Sequence, residues 1–229
     1  ASDVYKRQGL NILALWQLWQ QVRPNNHSHL HAISVEKFPL SKTDLIRALN
    51  VWPDLKPIAN QLIAQYPHPI AGCHRLSFPE ERFSLDLWLG DAHDVFPSMA
   101  KTSSVNAWFL DGFAPACNPD IWEEQVLNHI VRLSGIGTTF SSFSVAGVLK
   151  RGLTQHGISI SRPRGYRHKR EMLKAIWLAA EPENISNAVD TKSILNQNQP
   201  DQVLHAFKQR QIAIIGAGIA GLSSAWAFA

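Results

Sequence analysis

An α/β fold with a mostly parallel sheet and helices on both faces is what this sequence predicts, on three observations. Short apolar runs alternate with stretches of helical period along most of the chain. Three of those runs end in an acid, the arrangement open α/β sheets use to place ligands at the carboxyl ends of their strands. The chain has 229 residues and 45% hydrophobic content, enough to bury such a sheet.

Residues 1–8 carry no periodic pattern and read as a non-native or artefactual segment. Gly9-Leu10-Asn11 then opens an amphipathic helix running to Gln21, with Leu10, Leu13, Leu15, Trp16 and Leu18 as its apolar stripe. A helix that starts at a glycine wants a strand before it, and none is legible. The expected sheet therefore lacks its first strand, leaving two central strands with unpaired edges. His31–Glu36 reads as a strand, and Ser41–Asn50 and Asp54–Gln65 as helices. Arg75–Phe78 and Phe83–Leu89 are strands around the Pro79-Glu80-Glu81 turn, the second entering Gly90-Asp91. The stretch Asn106-Ala107-Trp108-Phe109-Leu110 is an apolar strand running into Asp111-Gly112-Phe113-Ala114-Pro115, followed by a helix over Pro119–Leu133. Ile136–Phe143, Ile158–Arg162 and Glu171–Leu178 complete the strands, with a helix over Val145–Gln155.

The domain of interest spans residues 9–179, and 180–209, rich in Asn, Gln, Asp, Ser and Pro, reads as a linker. Residues 210–229 supply an apolar strand, Gln211–Ile215, then Gly216-Ala217-Gly218-Ile219-Ala220-Gly221 and the start of a helix. Strand, glycines and helix in that order make the first βα unit of a dinucleotide-binding domain, with Gly216, Gly218 and Gly221 placed to receive a pyrophosphate. The ribose-binding acid expected about 20 residues further on lies beyond these residues.

No apolar run approaches the roughly 18 to 20 residues that span a bilayer, so a cytoplasmic protein without membrane contact is expected. Cys73 and Cys117 are far apart and lack metal-ligand spacing, which points to reduced thiols with no disulfide and no metal. His27, His29 and His31 alternate, which puts them on one face of a strand head. The net charge of +4 is mild, but Arg162, Arg164, Arg167, His168, Lys169 and Arg170 cluster around Tyr166. Arg164, Arg167, Lys169 and Arg170 are candidate phosphate contacts for RNA; a solvated charged surface is the alternative.

Glu36, Asp91 and Asp111 carry the chemistry. An acid at the end of a strand can accept both hydroxyls of a ribose. An acid following a glycine, as in Gly90-Asp91, can accept from an adenine amino group while the glycine leaves room for the base. With the Gly9-led helix, these residues describe an adenosine cofactor lying across the strand ends. Asp111 alone could equally be a helix cap.

Glu36-Lys37-Phe38-Pro39-Leu40, Leu85-Asp86-Leu87-Trp88-Leu89-Gly90-Asp91, the Asp111 block with Asn118-Pro119-Asp120 and Trp122, Arg151-Gly152-Leu153 and Lys169-Arg170-Glu171-Met172-Leu173 resemble the methyltransferase half of the MnmC family. These are bifunctional enzymes of 5-methylaminomethyl-2-thiouridine biosynthesis in tRNA. The resemblance implies a Rossmann-like class I S-adenosylmethionine-dependent methyltransferase sheet, here lacking its first strand, followed by a linker and the first βα unit of an FAD-binding Rossmann domain. It also implies tRNA as partner, with no obligate protein partner. The FAD half removes a carboxymethyl group from the wobble uridine and the methyltransferase half methylates the resulting amine. By the same resemblance Gly9, Asn11, Glu36, Lys37, Gly90 and Asp91 bind S-adenosylmethionine, Asp111 and Phe113 meet the reacting amine, and Gly216, Gly218 and Gly221 bind FAD. Without a first strand, these 229 residues are expected to be weakly active or inactive. Two competing readings are a non-catalytic tRNA-binding module and a methyltransferase for another amine.

Overall fold

The computed structural model describes residues 9–100, 105–110, 123–142, 145, 147–164, 171–179 and the backbone of 210–215. In these the predicted alternation is realised as one sheet of eight strands in the order β2-β3-β1-β8-β4-β5-β7-β6. The strands are β1 (Leu30–Glu36), β2 (Gly72–Phe78), β3 (Phe83–Leu89), β4 (Ala107–Leu110), β5 (Thr139–Ser142), β6 (Ser159–Ser161), β7 (Leu173–Ile176) and β8 (Arg210–Ile215). Pairing is parallel from β3 through β1, β8 and β4 to β5, whereas β2 and β7 run antiparallel to their neighbours.

The helices are α1 (Leu10–Val22), α2 (Lys42–Leu49), α3 (Lys56–Gln65), α4 (Ala92–Ser98), α5 (Glu124–Leu133) and α6 (Gly147–Gln155). They feed two apolar cores. One joins α1, α2 and α3 to β1, β2 and β3 around Trp16, which stacks on Phe83 at 4.7 Å and tilts against Phe78 at 4.3 Å. The other joins α4, α5 and α6 to β4, β5 and β7 around Phe96, Trp108 and Phe140. There the Trp108 indole donates to Ser134 Oγ at 2.7 Å, so its polar edge is satisfied inside the core. Gly152 lets α6 lie on α5, since a Cβ there would stand 2.6 Å from Leu127 Cδ1.

At the centre of the sheet, where the first strand was expected to be missing, a strand from the far end of the chain pairs between β1 and β4. It is Arg210–Ile215, pairing in parallel with β1 from Leu30↔Arg210 to Val35↔Ile215 and with β4 from Ala107↔Ile212 to Leu110↔Ile215. Gln211–Ile215, read as the apolar strand before a glycine loop, is a parallel strand here, and it satisfies backbone groups of β1 and β4 that would otherwise lie unpaired. Sequence reasoning also made β5 too long: Ile136 and Gly137 form a turn, with Gly137 at φ 87° and Ile136 67% exposed. It missed α4, whose signal was Asp91 as N-cap, its side chain accepting from the His93 amide.

Candidate cofactor site at the strand ends

Glu36 is the last residue of β1 and pairs with Leu89, the last residue of β3, so Glu36 and the Gly90-Asp91 step lie side by side at the carboxyl edge of the sheet. The Gly90 amide donates to the Glu36 carbonyl at 3.0 Å, tying the two ends together. Gly90 has φ 152°, and a Cβ on it would come within 3.2 Å of Val95 Cγ2. A side chain would be strained by the backbone conformation and would crowd Val95, so glycine keeps the floor beside Asp91 bare.

The acids are held by separate devices. Glu36 Oε1 accepts from the Phe38 amide at 3.0 Å, which turns the carboxylate back over the chain leaving β1. Asp91 divides its oxygens: Oδ1 accepts from the His93 amide at 3.0 Å, and Oδ2 faces Lys37 Nζ at 2.5 Å. The hydrogen bond from Lys37 leads in holding the Asp91 carboxyl below its ordinary value. Lys37 Nζ also lies 5.7 Å from the centre of the Phe38 ring, which is 64% exposed. His93 Nε2 stands 3.5 Å from Glu123 Oε2, at the start of α5. Burial, and then the Glu36 carboxylate, push the Tyr66 phenol up to about 12, and its hydroxyl donates to the Leu40 carbonyl at 3.2 Å. Tyr66 and His93 are parts of this neighbourhood that sequence reasoning missed, and Phe38 stood there only within a motif, with no role given. Tyr66 arrives from the end of α3, where nothing in the local pattern announces it.

Gly9 is the N-cap of α1 with φ 80°, and the Asn11 side chain is buried in the first turn. Asp111 and Phe113 follow β4 but lie outside the described residues, as do Gly216, Gly218 and Gly221 after β8. Of the basic candidates, Arg164 is exposed beyond β6, and Arg167, Lys169 and Arg170 lie outside the described residues. The nearby Arg162 pairs with Glu171 at 3.4 Å.

A separate polar cluster lies within the sheet. His29 Nε2 and His31 Nδ1 both contact Ser84 Oγ, at 2.9 and 2.8 Å, as the alternation of histidines predicted for this pair. His31 Nε2 lies 3.2 Å from Asp86 Oδ2, and Arg75 grips Asp86 with two hydrogen bonds of 2.6 Å. Burial pushes the Asp86 carboxyl up, but hydrogen bonds from Arg75 and His31 more than reverse this and hold it far below the usual carboxylate range.

An adenosine cofactor fits the strand ends: adjacent carboxylates for hydroxyl and amino donors, and a bare Gly90 for the base. Among the described residues no group of His, Cys, Asp and Glu could hold a metal ion, and no helix is long and apolar enough to cross a membrane.

Comparison with known proteins agrees with that chemistry. The chain is 69% identical over 96% of its length to the tRNA 5-methylaminomethyl-2-thiouridine biosynthesis bifunctional protein MnmC of Acinetobacter baylyi, covering 33% of that protein. It is 41% identical over 96% of its length to the MnmC of Psychrobacter cryohalolentis, covering 32%. The chain thus spans about a third of the length of the curated relatives it matches. A crystal structure of MnmC2 from Aquifex aeolicus aligns with TM-score 0.47 and 17% identity, over 86% of this chain and 65% of that one. The family model for S-adenosyl-L-methionine-dependent methyltransferases matches residues 53–177, more than half of the sequence and including β3, Gly90 and Asp91, and the chain belongs to that family.

Proposed function

We propose that the chain is the methyltransferase part of a tRNA wobble-uridine modification enzyme, converting 5-aminomethyl-2-thiouridine to 5-methylaminomethyl-2-thiouridine. The observation that carries this reading is 69% identity to a bifunctional MnmC across 96% of the chain. S-adenosylmethionine supplies an electrophilic methyl group on a sulfonium. Glu36 would take the ribose hydroxyls, Asp91 the adenine amino group, and Gly90 would leave the base its room. Gly9 and Asn11 would border the methionine part.

The amine must arrive neutral and in line with the methyl; the N–C bond forms as the S–C bond breaks, and the nitrogen then sheds a proton. Asp111 would orient the amine and receive that proton, with Phe113 flanking the cationic centre. Arg164, Arg167, Lys169 and Arg170 would hold the tRNA backbone in the cytoplasm. In the longer relatives, residues corresponding to 210–229 would open the flavin half, with Gly216, Gly218 and Gly221 placed to hold FAD, whose redox chemistry would serve removal of the carboxymethyl group.

The test is transfer of labelled methyl from S-adenosylmethionine to tRNA carrying 5-aminomethyl-2-thiouridine, with nucleoside analysis of the product. Weak label in 5-methylaminomethyl-2-thiouridine, lost in Asp111→Asn, is the expected result. Full turnover by Asp111→Asn with unchanged cofactor affinity would remove Asp111 from both roles.

A further inference from the structure

We propose that Lys37 is a positioning residue that makes the site selective for the 6-amino group of adenine, by fixing Asp91 from the neighbouring strand end. The proposal deepens the cofactor reading of Glu36 and Asp91 and rests on it.

Lys37 follows the last residue of β1, and Asp91 caps α4 after β3, so their contact spans two adjacent strand ends. Oδ1 of Asp91 is anchored by the His93 amide at 3.0 Å, which alone leaves the carboxylate free to turn about that bond. Lys37 Nζ, 2.5 Å from Oδ2, supplies a second anchor from a different element and sets the plane of the group. Each carboxylate oxygen can accept a further hydrogen bond, so fixing the plane fixes where a base edge must present its donor. Selectivity follows from the charge. An ionised carboxylate only accepts, so it favours the 6-amino group of adenine over the 6-oxo group of hypoxanthine. An ordinary aspartate is ionised at neutral pH even without a cationic partner, so what Lys37 adds is the fixed direction of that acceptance.

The charges around Asp91 are mixed. Glu36 lies at the neighbouring strand end and Glu123 stands 3.5 Å from His93 Nε2; burial favours protonation of Asp91, while Lys37 and His93 oppose it. Lys37 is the cation placed directly on the reading oxygen, and its side chain is 37% exposed, so it can be replaced without opening a core.

The experiment is calorimetric titration of S-adenosylhomocysteine and S-inosylhomocysteine into the 229-residue chain and its Lys37→Met, Lys37→Gln and Lys37→Arg variants, with urea melts to establish folding. Wild type should prefer the adenosine compound by about tenfold or more, the margin expected of one charge-assisted hydrogen bond. Lys37→Met and Lys37→Gln should lose most of that preference, and Lys37→Arg should keep it; if Lys37→Met does not fold, Lys37→Gln carries the same expectation. Undiminished preference in the uncharged variants overturns the role of Lys37. Equal binding of both compounds by wild type shows that Asp91 does not read the amino group and overturns the proposal. Binding of neither removes the cofactor reading of the strand ends, and the proposal with it.

Discussion

Ending the chain at Gln209 removes β8 and should abolish cooperative folding. The strand is paired over six residues with β1 and four with β4, all in the interior of the sheet. At roughly 0.5–1.5 kcal/mol net for each backbone hydrogen bond, two such ladders contribute on the order of 5–15 kcal/mol. That equals the whole stability of an ordinary domain, about 5–15 kcal/mol. Trp108 is the natural reporter: it is 1% exposed on β4 and paired in register with Ala213 of β8. The full chain should show a single urea transition in tryptophan fluorescence, and the shortened chain a broad or absent one, with emission shifted toward exposed indole. A milder version is Ala213→Pro, which deletes one ladder donor from a central strand and should cost about 3 kcal/mol or more. The reasoning fails if the chain ending at Gln209 unfolds with the midpoint and denaturant slope of the full chain.

Asp86→Asn should destabilise by roughly 1–3 kcal/mol, because Arg75 and His31 lose a charged acceptor. Since the folded-state pKa of Asp86 is depressed, its contribution is complete above the unfolded carboxylate value of about 4 and is lost as pH falls below that; Asp86→Asn should flatten this acid limb in urea melts at stepped pH. An acid limb unchanged in the variant would show that Asp86 carries none of it. Gly152→Ala sets a helix-propensity gain of about 1 kcal/mol against a Cβ only 2.6 Å from buried Leu127. Overpacking costs of about 1–3 kcal/mol should prevail, giving a lower thermal midpoint than wild type, and a higher midpoint would show that Leu127 yields freely. Gly90→Ala combines φ 152° with a 3.2 Å approach to Val95 and should weaken S-adenosylmethionine binding more than Gly157→Ala, at a turn glycine with open space around it. Equal affinities in calorimetry would refute the need for a bare floor beside Asp91.

The parts legible from sequence were those whose signal is local. The readings Ser41–Asn50 and His31–Glu36 fall within a residue of the observed α2 and β1, whose determinants, such as the Ser41 side chain accepting from the Asp44 amide, are local. The acid at the end of β1 and the Gly-Asp step after β3 were legible for the same reason. What escaped depends on distant partners. Arg210–Ile215 carries the apolar pattern of a buried parallel strand, but which sheet it enters is decided by edges on β1 and β4 more than a hundred residues away. Tyr66 beside Glu36 escaped likewise, because a tyrosine closing a helix carries no mark of the strand end it will face. The antiparallel setting of β7 escaped because pairing direction is a property of the neighbour, not of the apolar run.

Asp86 and Asp91 show how one strand separates structure from chemistry. Both belong to the same short stretch and both carboxyls are held below their ordinary value. Asp86 sits in mid-strand, 7% exposed, with both oxygens gripped by Arg75 and one of them also by His31. A ligand would have to break the Arg75 fork to reach it, so its charge serves cross-strand cohesion. Asp91 lies just past the strand, with a side chain 23% exposed and a partner on a flexible stem. Its charge is kept without its accepting capacity being used up, and its neighbours are a bare glycine and the last carbonyl of β1. Position relative to the strand end, more than residue type, thus decides which carboxylate braces the sheet and which can meet a cofactor.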